Sequence, residues 1–361
     1  MTNTSRRGHA ALPTGRASIR DVAARAGVSV TTVSHTLNGT RFVSEAARAK
    51  VQEAAHALGY VPSEIARGLK QNTTRTLGML VPNNSNPYFA EIIRGVEHHC
   101  YGAGYSLLLC NSNDDAHQQA DHLRVLAERR VDGIVLVASG TDDAIVDVCK
   151  DLRLPLVLVD REIDSIAVDL IEVDHAAGGD LATAHLLELG HARVACIVGP
   201  ADLRPSQQRE AGWRRALARA GVTPRADELV RGDFSPGSGA AAMRRLLKTP
   251  QRPTAVFVCN DMMAIGALHA AHEAGIEVPR ELSVVGFDDI ELAAYTWPPL
   301  TTVAQPKEAL GTGAAGLLLE RLREGRTAPR SAILQPGLHL RASTARPQDG
   351  HPIALDARAT P

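Results

Sequence analysis

Residues 19–38 read IRDVAARAGVSVTTVSHTLN, and this stretch predicts two short helices joined by a tight turn. Ser18 can cap the first helix, and Asp21 stands three residues further on, which is the spacing of a capping box. Gly27 can adopt the left-handed conformation that reverses the chain, and Ser29 can cap the second helix. Apolar side chains recur at helical intervals in both segments, at Ile19, Val22, Ala23, Ala26, Val33 and Leu37.

The outer face of the second helix carries side chains that can reach the edges of DNA bases. They are Val30, Thr31, Thr32 and His35. Small Ala23 stands where the two helices would cross, as a helix-turn-helix requires. An ordinary helical hairpin is the alternative, but the offsets of the small residue, the glycine and the β-branched residues favour a DNA-reading unit.

A third helix is predicted to complete this unit. Ser44 can cap it, and the apolar positions Val51, Ala54 and Leu58 would face the first two helices. The sequence therefore predicts a DNA-binding domain over residues 18–61.

Residues 62–74 are predicted to form a hinge. The segment EIARGLK is short and contains a glycine, so it should become helical only when something holds it. Ala66 is small enough for two copies to pack closely, and Leu69 is an apolar wedge of the kind that unstacks a base step in the minor groove. A flexible linker with an incidental leucine is the alternative.

The net charge of −1 hides an asymmetry along the 361 residues. Residues 1–75 contain eleven Lys and Arg against four Asp and Glu, a net charge of +7, so the remaining residues carry −8. We call residues 1–75 the basic head. A basic N-terminal region joined to an acidic remainder is expected when only the N-terminal region contacts phosphate groups.

The composition favours a soluble cytoplasmic protein. Residues 1–17 are polar and basic without an apolar run of signal-peptide length, so we expect a disordered arm, and no segment approaches a membrane span. The cysteines are five in number and never form a CxxC pair, which favours reduced thiols over disulfides or zinc: Cys100, Cys110, Cys149, Cys196 and Cys259.

The rest of the sequence alternates short apolar runs with helix-length stretches. The runs are TLGMLVP, YSLLLC, GIVLVA, PLVLVD, RVACIVG, TAVFVC and LSVVGF. This alternation predicts parallel sheets with helices on both faces. The series restarts after about Asp174, and a core of about 270 residues would exceed the usual domain size, so we expect two α/β lobes.

The chain should cross back between the lobes at Gln305. The expected ranges are about 75–173 and 306–330 for lobe 1, about 174–304 and 332–345 for lobe 2, and 346–361 for a disordered tail.

Ligands of open α/β sheets bind beyond the carboxyl ends of the strands. The residues found just after the predicted strands are polar or aromatic: Asn86, Tyr88, Phe89, Asp160, Arg161, Phe234, Asn260, Asp288 and Gln305, with Arg209 expected to start a helix after VACIVGP. Aromatic residues make up only 3% of the chain, yet three of them stand here, where flat rings can cover the C–H faces of a sugar.

The charges of this set indicate a neutral ligand. Asp160 and Asp288 balance Arg161 and Arg209, so hydroxyl groups that donate and accept could satisfy all four, whereas the acids would repel a phosphate. Each residue also has a simpler interpretation: a surface ion pair for Asp160 and Arg161, core packing for the aromatics, and a helix cap for Asn260. Their shared location is what favours a site.

These motifs resemble the lactose-repressor (LacI/GalR) family of bacterial transcription regulators over about residues 18–345. Further stretches carry the resemblance: RFVSEAARAKVQEAAHALGYVPSEIARGLK, NPYFAEIIRGVE, RVDGIVLV, LGHARVACIVGP, CNDMMAIGAL and VVGFDDIELAAYTWPPLTTVAQPKEALG. Within the family, TRTLGMLV, GYSLLLCN, GGDLATAHLLELGH and DDIELA resemble ribose-operon repressors. The implied fold is α/β, with an N-terminal helix-turn-helix domain and a two-lobed core like that of periplasmic binding proteins.

The resemblance implies a homodimer or tetramer that represses transcription from a pseudo-palindromic operator under the control of a small sugar, D-ribose. DNA contacts are implied for Val30, Thr31, Thr32, His35, Asn38, Ala66 and Leu69. Similarity to periplasmic ribose-binding proteins implies sugar contacts from Asn86, Tyr88, Phe89, Asp160, Arg161, Arg209, Phe234, Asn260, Asp288 and Gln305. Tyr88 departs from the phenylalanine of that pattern and adds one hydroxyl.

Parts of the sequence are compatible with three other functions. An enzyme is disfavoured because GTGAAG at 311–316, although it fits GxGxxG, lies inside a helical pattern, and because neither a catalytic triad nor metal-site spacing is evident, so no catalytic residue, metal or cofactor is expected. A sugar-transport protein would not need the basic head. The same repressor with a purine, nucleoside or other pentose as effector stays open.

Overall fold

The computed structural model describes residues 17–61, 73–138, 143–151, 154–160 and 166–348. The chain divides into two compact units, Met1–Thr74 and Arg75–Pro361. Three residues of the expected sites, Ala66, Leu69 and Arg161, lie outside the described residues. Among the helices in the described ranges, none combines the length and the apolar character that crossing a bilayer requires.

The first unit contains the three predicted helices, α1 (Ile19–Ala26), α2 (Val30–Asn38) and α3 (Glu45–Ala57). Ser18 and Asp21 form the capping box, Ser29 and Ser44 cap the next two helices, and Gly27 ends α1 with φ of 67°. Val22, Val33 and Val51 are fully buried where the helices meet. The predicted helix-turn-helix is therefore confirmed.

The second unit contains two six-stranded sheets. Their strands are β1 (Thr76–Val81), β2 (Ser106–Asn111), β3 (Gly133–Leu136), β4 (Leu156–Val159), β5 (Asp169–Val173), β6 (Val194–Val198), β7 (Leu229–Arg231), β8 (Ala255–Val258), β9 (Ser283–Asp288), β10 (Thr301–Ala304), β11 (Ser331–Leu334) and β12 (Gly337–His339). The first sheet has the order β11-β5-β4-β3-β1-β2 and the second β12-β10-β9-β8-β6-β7. All pairs are parallel except β10 with β12.

Helices cover the sheets, as the alternating pattern predicted. Those of lobe 1 are α4 (Pro87–Gly102), α5 (Ala116–Glu128), α6 (Asp143–Asp151) and α11 (Lys307–Glu324), and those of lobe 2 are α7 (His175–Glu188), α8 (Arg204–Arg219), α9 (Pro236–Leu247) and α10 (Asp261–Glu273). The chain passes between the sheets three times, after β5, after β10 and after β11.

One expected boundary needs correction. Residues from 332 onward were assigned to lobe 2, but Ser331–Leu334 pairs with β5 in the first sheet, so the last crossing follows Leu334. No apolar run in the sequence indicated β5, β11 or β12, because each is short or carries charged residues among its apolar ones.

The GxGxxG match at 311–316 lies inside α11, as predicted. A Cβ at Gly311 would overlap the Ile92 carbonyl oxygen and lie 2.9 Å from the Val96 nitrogen, and one at Gly95 would lie 2.6 Å from the Glu308 oxygen. These glycines therefore let α4 and α11 cross backbone against backbone, and they form no phosphate-binding turn.

Candidate functional site

The second helix of the first unit exposes the face predicted to read DNA. Thr31 and Asn38 are exposed, and Val30 is 42% exposed. Thr32 and His35 are only half-buried, but each is tied to a neighbour: the Thr32 hydroxyl lies 2.8 Å from the Ser29 hydroxyl, and Nδ1 of His35 lies 2.8 Å from the Thr40 hydroxyl. These contacts fix both side chains on the exposed side of α2.

The second unit contains a cavity of about 600 Å³ at the carboxyl ends of both sheets, within the usual range for ligand pockets. Eight of the ten expected effector residues line it: Asn86, Tyr88, Phe89, Asp160, Arg209, Phe234, Asn260 and Asp288. Gln305 is buried and bonded to two of them, Tyr88 and Asp288. Thus nine residues that are scattered along the sequence from Asn86 to Gln305 meet in one place.

Three of these residues hold backbone conformations that side chains rarely adopt. Asp160 has φ of 62°, Phe234 of 70° and Asp288 of 117°; Asp160 directly follows β4, Phe234 stands in the loop after β7, and Asp288 ends β9. Non-glycine residues at positive φ cost free energy and concentrate at functional sites. The left-handed turn at each strand end aims the side chain into the cavity.

Buried polar side chains on the cavity floor bond to one another. The Tyr88 hydroxyl lies 2.7 Å from Oδ2 of Asp160, to which it donates, and 3.2 Å from Oε1 of Gln305. Nε2 of Gln305 donates to Oδ1 of Asp288 at 2.7 Å. Lys307 donates to the backbone oxygens of Asp288 at 2.7 Å and of its neighbour, residue 289, at 2.5 Å.

Two further side chains close this arrangement into a ring. Nε2 of His175 lies 2.8 Å from Oδ1 of Asp160, and Nε of Arg209 donates to Nδ1 of His175 at 3.3 Å. Nη1 of Arg209 lies 3.7 Å from Oδ1 of Asp288. We call these six residues the cleft ring: Tyr88, Asp160, His175, Arg209, Asp288 and Gln305. The ring joins the two lobes, because Tyr88 and Asp160 belong to lobe 1 whereas Arg209 and Asp288 belong to lobe 2.

The Arg209 guanidinium is held from several sides. Contrary to the expectation that it starts a helix, Arg209 lies in the second turn of α8, five residues after Arg204. Its guanidinium carbon lies 3.9 Å from the centre of the Phe287 ring, and Nη1 donates to the Cys259 carbonyl. The side chain is 4% exposed, so its position on the cavity wall is fixed by packing.

Two asparagines of the expected site also cap helices. Oδ1 of Asn86 accepts from the Tyr88 nitrogen in the first turn of α4, and Oδ1 of Asn260 accepts from the Met263 nitrogen in the first turn of α10. Nδ2 of Asn260 donates to the Phe234 carbonyl. Asn260 therefore shapes the cavity by holding Phe234, while both of its polar atoms are already bonded.

Burial and neighbouring charges move the pKa values of the acids in opposite directions. Burial raises the pKa of Asp288 to about 6, although Arg209, Gln305 and Lys307 oppose this rise. Burial also acts to raise the pKa of Asp160, but His175, Arg209 and Tyr88 outweigh it and leave that pKa below its ordinary value. At neutral pH Asp160 is therefore an anion, while Asp288 is the group that a small change in pH can protonate.

Sequence reasoning missed part of the site. His175 was not predicted, because the strand before it, β5, reads DLIEV, whose acids break the apolar run. Three exposed aspartates at the cavity margin were also missed: Asp114, Asp202 and Asp233. The expected balance of two acids and two arginines is corrected accordingly, since five aspartates and one arginine line the cavity among the described residues.

An exposed helix-turn-helix and a two-sheet core with a cavity that contains buried charged side chains define a class of protein, the ligand-binding transcription regulators. Residues 18–63 match the family described as bacterial regulatory proteins, lacI family, and residues 183–344 match the periplasmic binding protein-like domain. Within the described ranges, no group of three or more His, Cys, Asp or Glu side chains could hold a metal ion.

Relatives extend this similarity over most of the chain. The HTH-type transcriptional repressor PurR of Photobacterium profundum is 43% identical over 328 residues, which cover 91% of this chain and 98% of that protein. The ribose operon repressor of Escherichia coli (strain K12) is also 43% identical over 328 residues, covering 91% and 99%. The crystal structure of the lac repressor dimer bound to operator and the anti-inducer ONPF aligns with a TM-score of 0.84 at 29% identity, covering 92% of this chain and all of that one.

The chain belongs to the LacI family of bacterial regulatory proteins and is a DNA-binding transcriptional repressor. Its relatives are repressors and not enzymes, which is the class that the sequence indicated.

Proposed function

We propose that this repressor is controlled by a small neutral sugar, D-ribose, that binds on the cleft ring between the two lobes. The observation that carries the proposal is the ring itself: buried charged and amide groups from both lobes converge on one cavity. A ligand that contacts both lobes favours one of their relative positions, and its binding free energy can then shift operator affinity.

The charges of the cavity argue against an anionic effector. Five carboxylates against one guanidinium give the described lining an excess of negative charge, which would repel a phosphate or carboxylate ligand. Sugar hydroxyls can donate to Asp160 and Asp288 and accept from Arg209. A neutral polyhydroxylated ligand therefore fits these groups best.

The walls of the cavity suit the apolar faces of a sugar ring. Phe89 and Phe234 line it from the two lobes, and the rings of Tyr88 and Phe89 meet edge to face with their centres 5.1 Å apart. Aromatic rings can cover C–H faces while the polar groups of the floor hold the hydroxyls.

A purine, a nucleoside or another pentose is the second candidate effector. The relative named PurR is as similar in sequence as the ribose operon repressor. The two aromatic walls would also suit a planar base, which makes these ligands necessary members of any screen.

Thermal shift in the presence of matched ligands tests this proposal. D-ribose should raise the melting temperature, since a ligand at 100 times its dissociation constant adds roughly 2.7 kcal/mol to the free energy of unfolding. Ribose 5-phosphate, which carries a dianionic phosphate group, should not. A larger shift with adenine, hypoxanthine or a nucleoside than with any pentose would replace ribose by that ligand.

We also propose that the repressor acts in the cytoplasm as a homodimer, with assembly to a tetramer as a further step, on a pseudo-palindromic operator. The edge strand β2 leaves Leu108 and Leu109 partly exposed, and Tyr295 and Trp297 are 78% and 92% exposed. Apolar surface of this kind on a sheet edge and loop favours association of two copies. Sedimentation should give twice the mass of the chain, whereas a monomer at micromolar concentration would contradict the dimer.

Within that complex we propose that Val30, Thr31, Thr32, His35 and Asn38 contact the major groove, while Ala66 and Leu69 occupy the minor groove. The basic head supports strong phosphate contact, so operator affinity should fall steeply between about 50 and 200 mM salt. Leu69→Ala should weaken operator binding and leave binding to random DNA nearly intact, because only the specific complex opens a base step. Equal losses on both DNAs would contradict the wedge.

A further inference from the structure

The residue of the cleft ring that no sequence pattern indicated is His175. It is 1% exposed and is the first residue of α7, two residues after β5 ends and the chain leaves the first sheet. It does not line the cavity, yet it contacts two residues that do, Asp160 and Arg209. Its imidazole also lies against Phe287, with the ring centres 5.9 Å apart.

The partners of His175 determine where its proton sits. Nε of Arg209 can only donate, so Nδ1 of His175 must accept. The proton of the neutral imidazole then lies on Nε2, which donates it to Oδ1 of Asp160 at 2.8 Å. This tautomer is the one arrangement in which both hydrogen bonds have a donor and an acceptor.

We infer that His175 is a positioning residue for the effector: it fixes the Arg209 guanidinium and the Asp160 carboxylate relative to each other across the two lobes. Asp160 directly follows β4 in lobe 1, and Arg209 lies on α8 in lobe 2, so His175 bonds to one residue of each lobe. The inference rests on the proposed function, in which an effector contacts both residues.

The place of His175 in the fold adds a consequence for control. It stands at one chain crossing, and Gln305 stands at another, where each is bonded to a lobe 1 side chain. A relative rotation of the lobes that moves Asp160 away from Arg209 would stretch at least one of the two hydrogen bonds of His175. An effector held by Asp160 and Arg209 therefore favours one rotation, and His175 transmits that preference.

Two substitutions separate the hydrogen bonds of the His175 side chain from the space that it fills. His175→Gln can keep a donor for Asp160 and an acceptor for Arg209 in its amide, whereas His175→Leu keeps neither. Titration of full-length protein on operator DNA should show D-ribose acting on the glutamine variant within a few-fold of wild type, and roughly 10- to 100-fold more ribose needed by the leucine variant, as expected for loss of hydrogen bonds to charged groups. Operator affinity without ribose is measured first for both variants, and the ribose response of each variant is taken relative to that value.

His191 supplies the control for a merely structural role. It is 3% exposed in lobe 2, and its ring bonds to Thr254, Ser283 and the Ala345 carbonyl, away from the cavity. His191→Leu should lower the melting temperature while the ribose response stays at the wild-type level. An equal loss of ribose response in the leucine variants of both histidines would overturn the positioning role, as would a wild-type response from His175→Leu.

A measurement without ligand keeps this inference separate from the identity of the effector. Two-bond ¹H–¹⁵N spectra of histidine-labelled protein at about pH 7.5, assigned with His175→Gln, should show a protonated Nε2 and a bare Nδ1 for His175. A protonated Nδ1 overturns the positioning role. If ribose has no effect on operator binding by the wild-type protein, only the proposed effector is contradicted. The spectrum still tests the tautomer of His175, because it is recorded without ligand.

Discussion

The ring of Phe234 lies against the backbone of Gly199, so that a methyl group at residue 199 would overlap the ring carbons Cε1 and Cζ. The same methyl group would lie 2.6 Å from the Ser206 hydroxyl oxygen. Because Phe234 is held at positive φ and lines the cavity, the glycine defines how far the aromatic wall stands back from the ligand.

Gly199→Ala should therefore push Phe234 into the cavity and weaken effector binding by about tenfold or more, at a cost of roughly 1–3 kcal/mol in the free energy of unfolding from overpacking. Isothermal titration and thermal unfolding would measure the two effects. Gly102→Ala is the matched control, since a Cβ at Gly102 meets nothing within 4 Å. Normal effector affinity in the Gly199 variant would mean that Phe234 is not part of the binding wall.

Asp288→Ala should give a protein that still binds operator but no longer responds to D-ribose. The substitution leaves the Gln305 amide without its acceptor and removes a charged partner from Arg209, so roughly 2–5 kcal/mol of effector affinity should be lost. We expect the same result for Arg161→Ala, because the sequence resemblance to periplasmic ribose-binding proteins implies that Arg161 contacts the sugar. Gel-shift titrations with ribose from micromolar to tens of millimolar would check this, and loss of operator binding without sugar would identify these residues as supports of the fold.

Effector binding should weaken as the pH falls below about 6. Burial raises the pKa of Asp288 to about 6, and its protonated form no longer offers two acceptor oxygens to Gln305 and a hydroxyl. Arg209, Lys307, Asp160 and the buried Asp261 are near this carboxyl; burial and the charge of Asp288 raise the pKa of Asp261, whereas Asp160 keeps its charge because its pKa is lowered. Affinity should drop by up to about tenfold per pH unit between pH 6 and 5.

The free energy of unfolding of the unliganded protein should depend on the Asp288 carboxyl in the opposite sense from effector affinity. Asp288 has a raised pKa in the folded state, so between about pH 4 and 6 the folded chain holds a proton that the unfolded chain lacks, and the contribution of Asp288 to the free energy of unfolding increases as pH falls. Thermal shifts with and without ribose at pH 7.5, 6.0 and 5.0 separate the two effects. An Asp288→Asn variant with the same pH profile would assign the profile to another group.

Gly311→Ala should destabilise lobe 1 by roughly 1–3 kcal/mol because its Cβ would collide with the backbone of α4. Gly316→Ala in the same GxGxxG match has its nearest neighbour, His99, at 3.8 Å and should be neutral or slightly stabilising, since alanine is the better helix former. Thermal unfolding would compare them. If the protein binds a nucleotide measurably and both substitutions abolish that binding, the GxGxxG match would be a phosphate-binding site after all.

Much of the site was predictable, because parallel strands place their carboxyl ends on one edge. That rule brought forward Asp160, Phe234, Asn260 and Asp288 before any contact was known. It failed for His175, because the strand before it carries acids that break the apolar pattern, and it placed Arg209 at the start of a helix, whereas Arg209 lies in the second turn of α8. A functional side chain inside a helix, or after a strand without a regular apolar pattern, cannot be recognised from hydrophobic periodicity.

The sequence by itself determined the helix-turn-helix, the two α/β lobes and eight of the residues that line the cavity, because capping, glycine turns and alternating apolar runs are local properties of the chain. Only the tertiary structure decided that β11 returns to the first sheet, that Gly311 serves helix packing against Ile92, and that six polar residues close into one ring across the lobes. These features depend on hydrogen bonds and contacts between residues as far apart as Tyr88 and Gln305, which meet only when both sheets are in place.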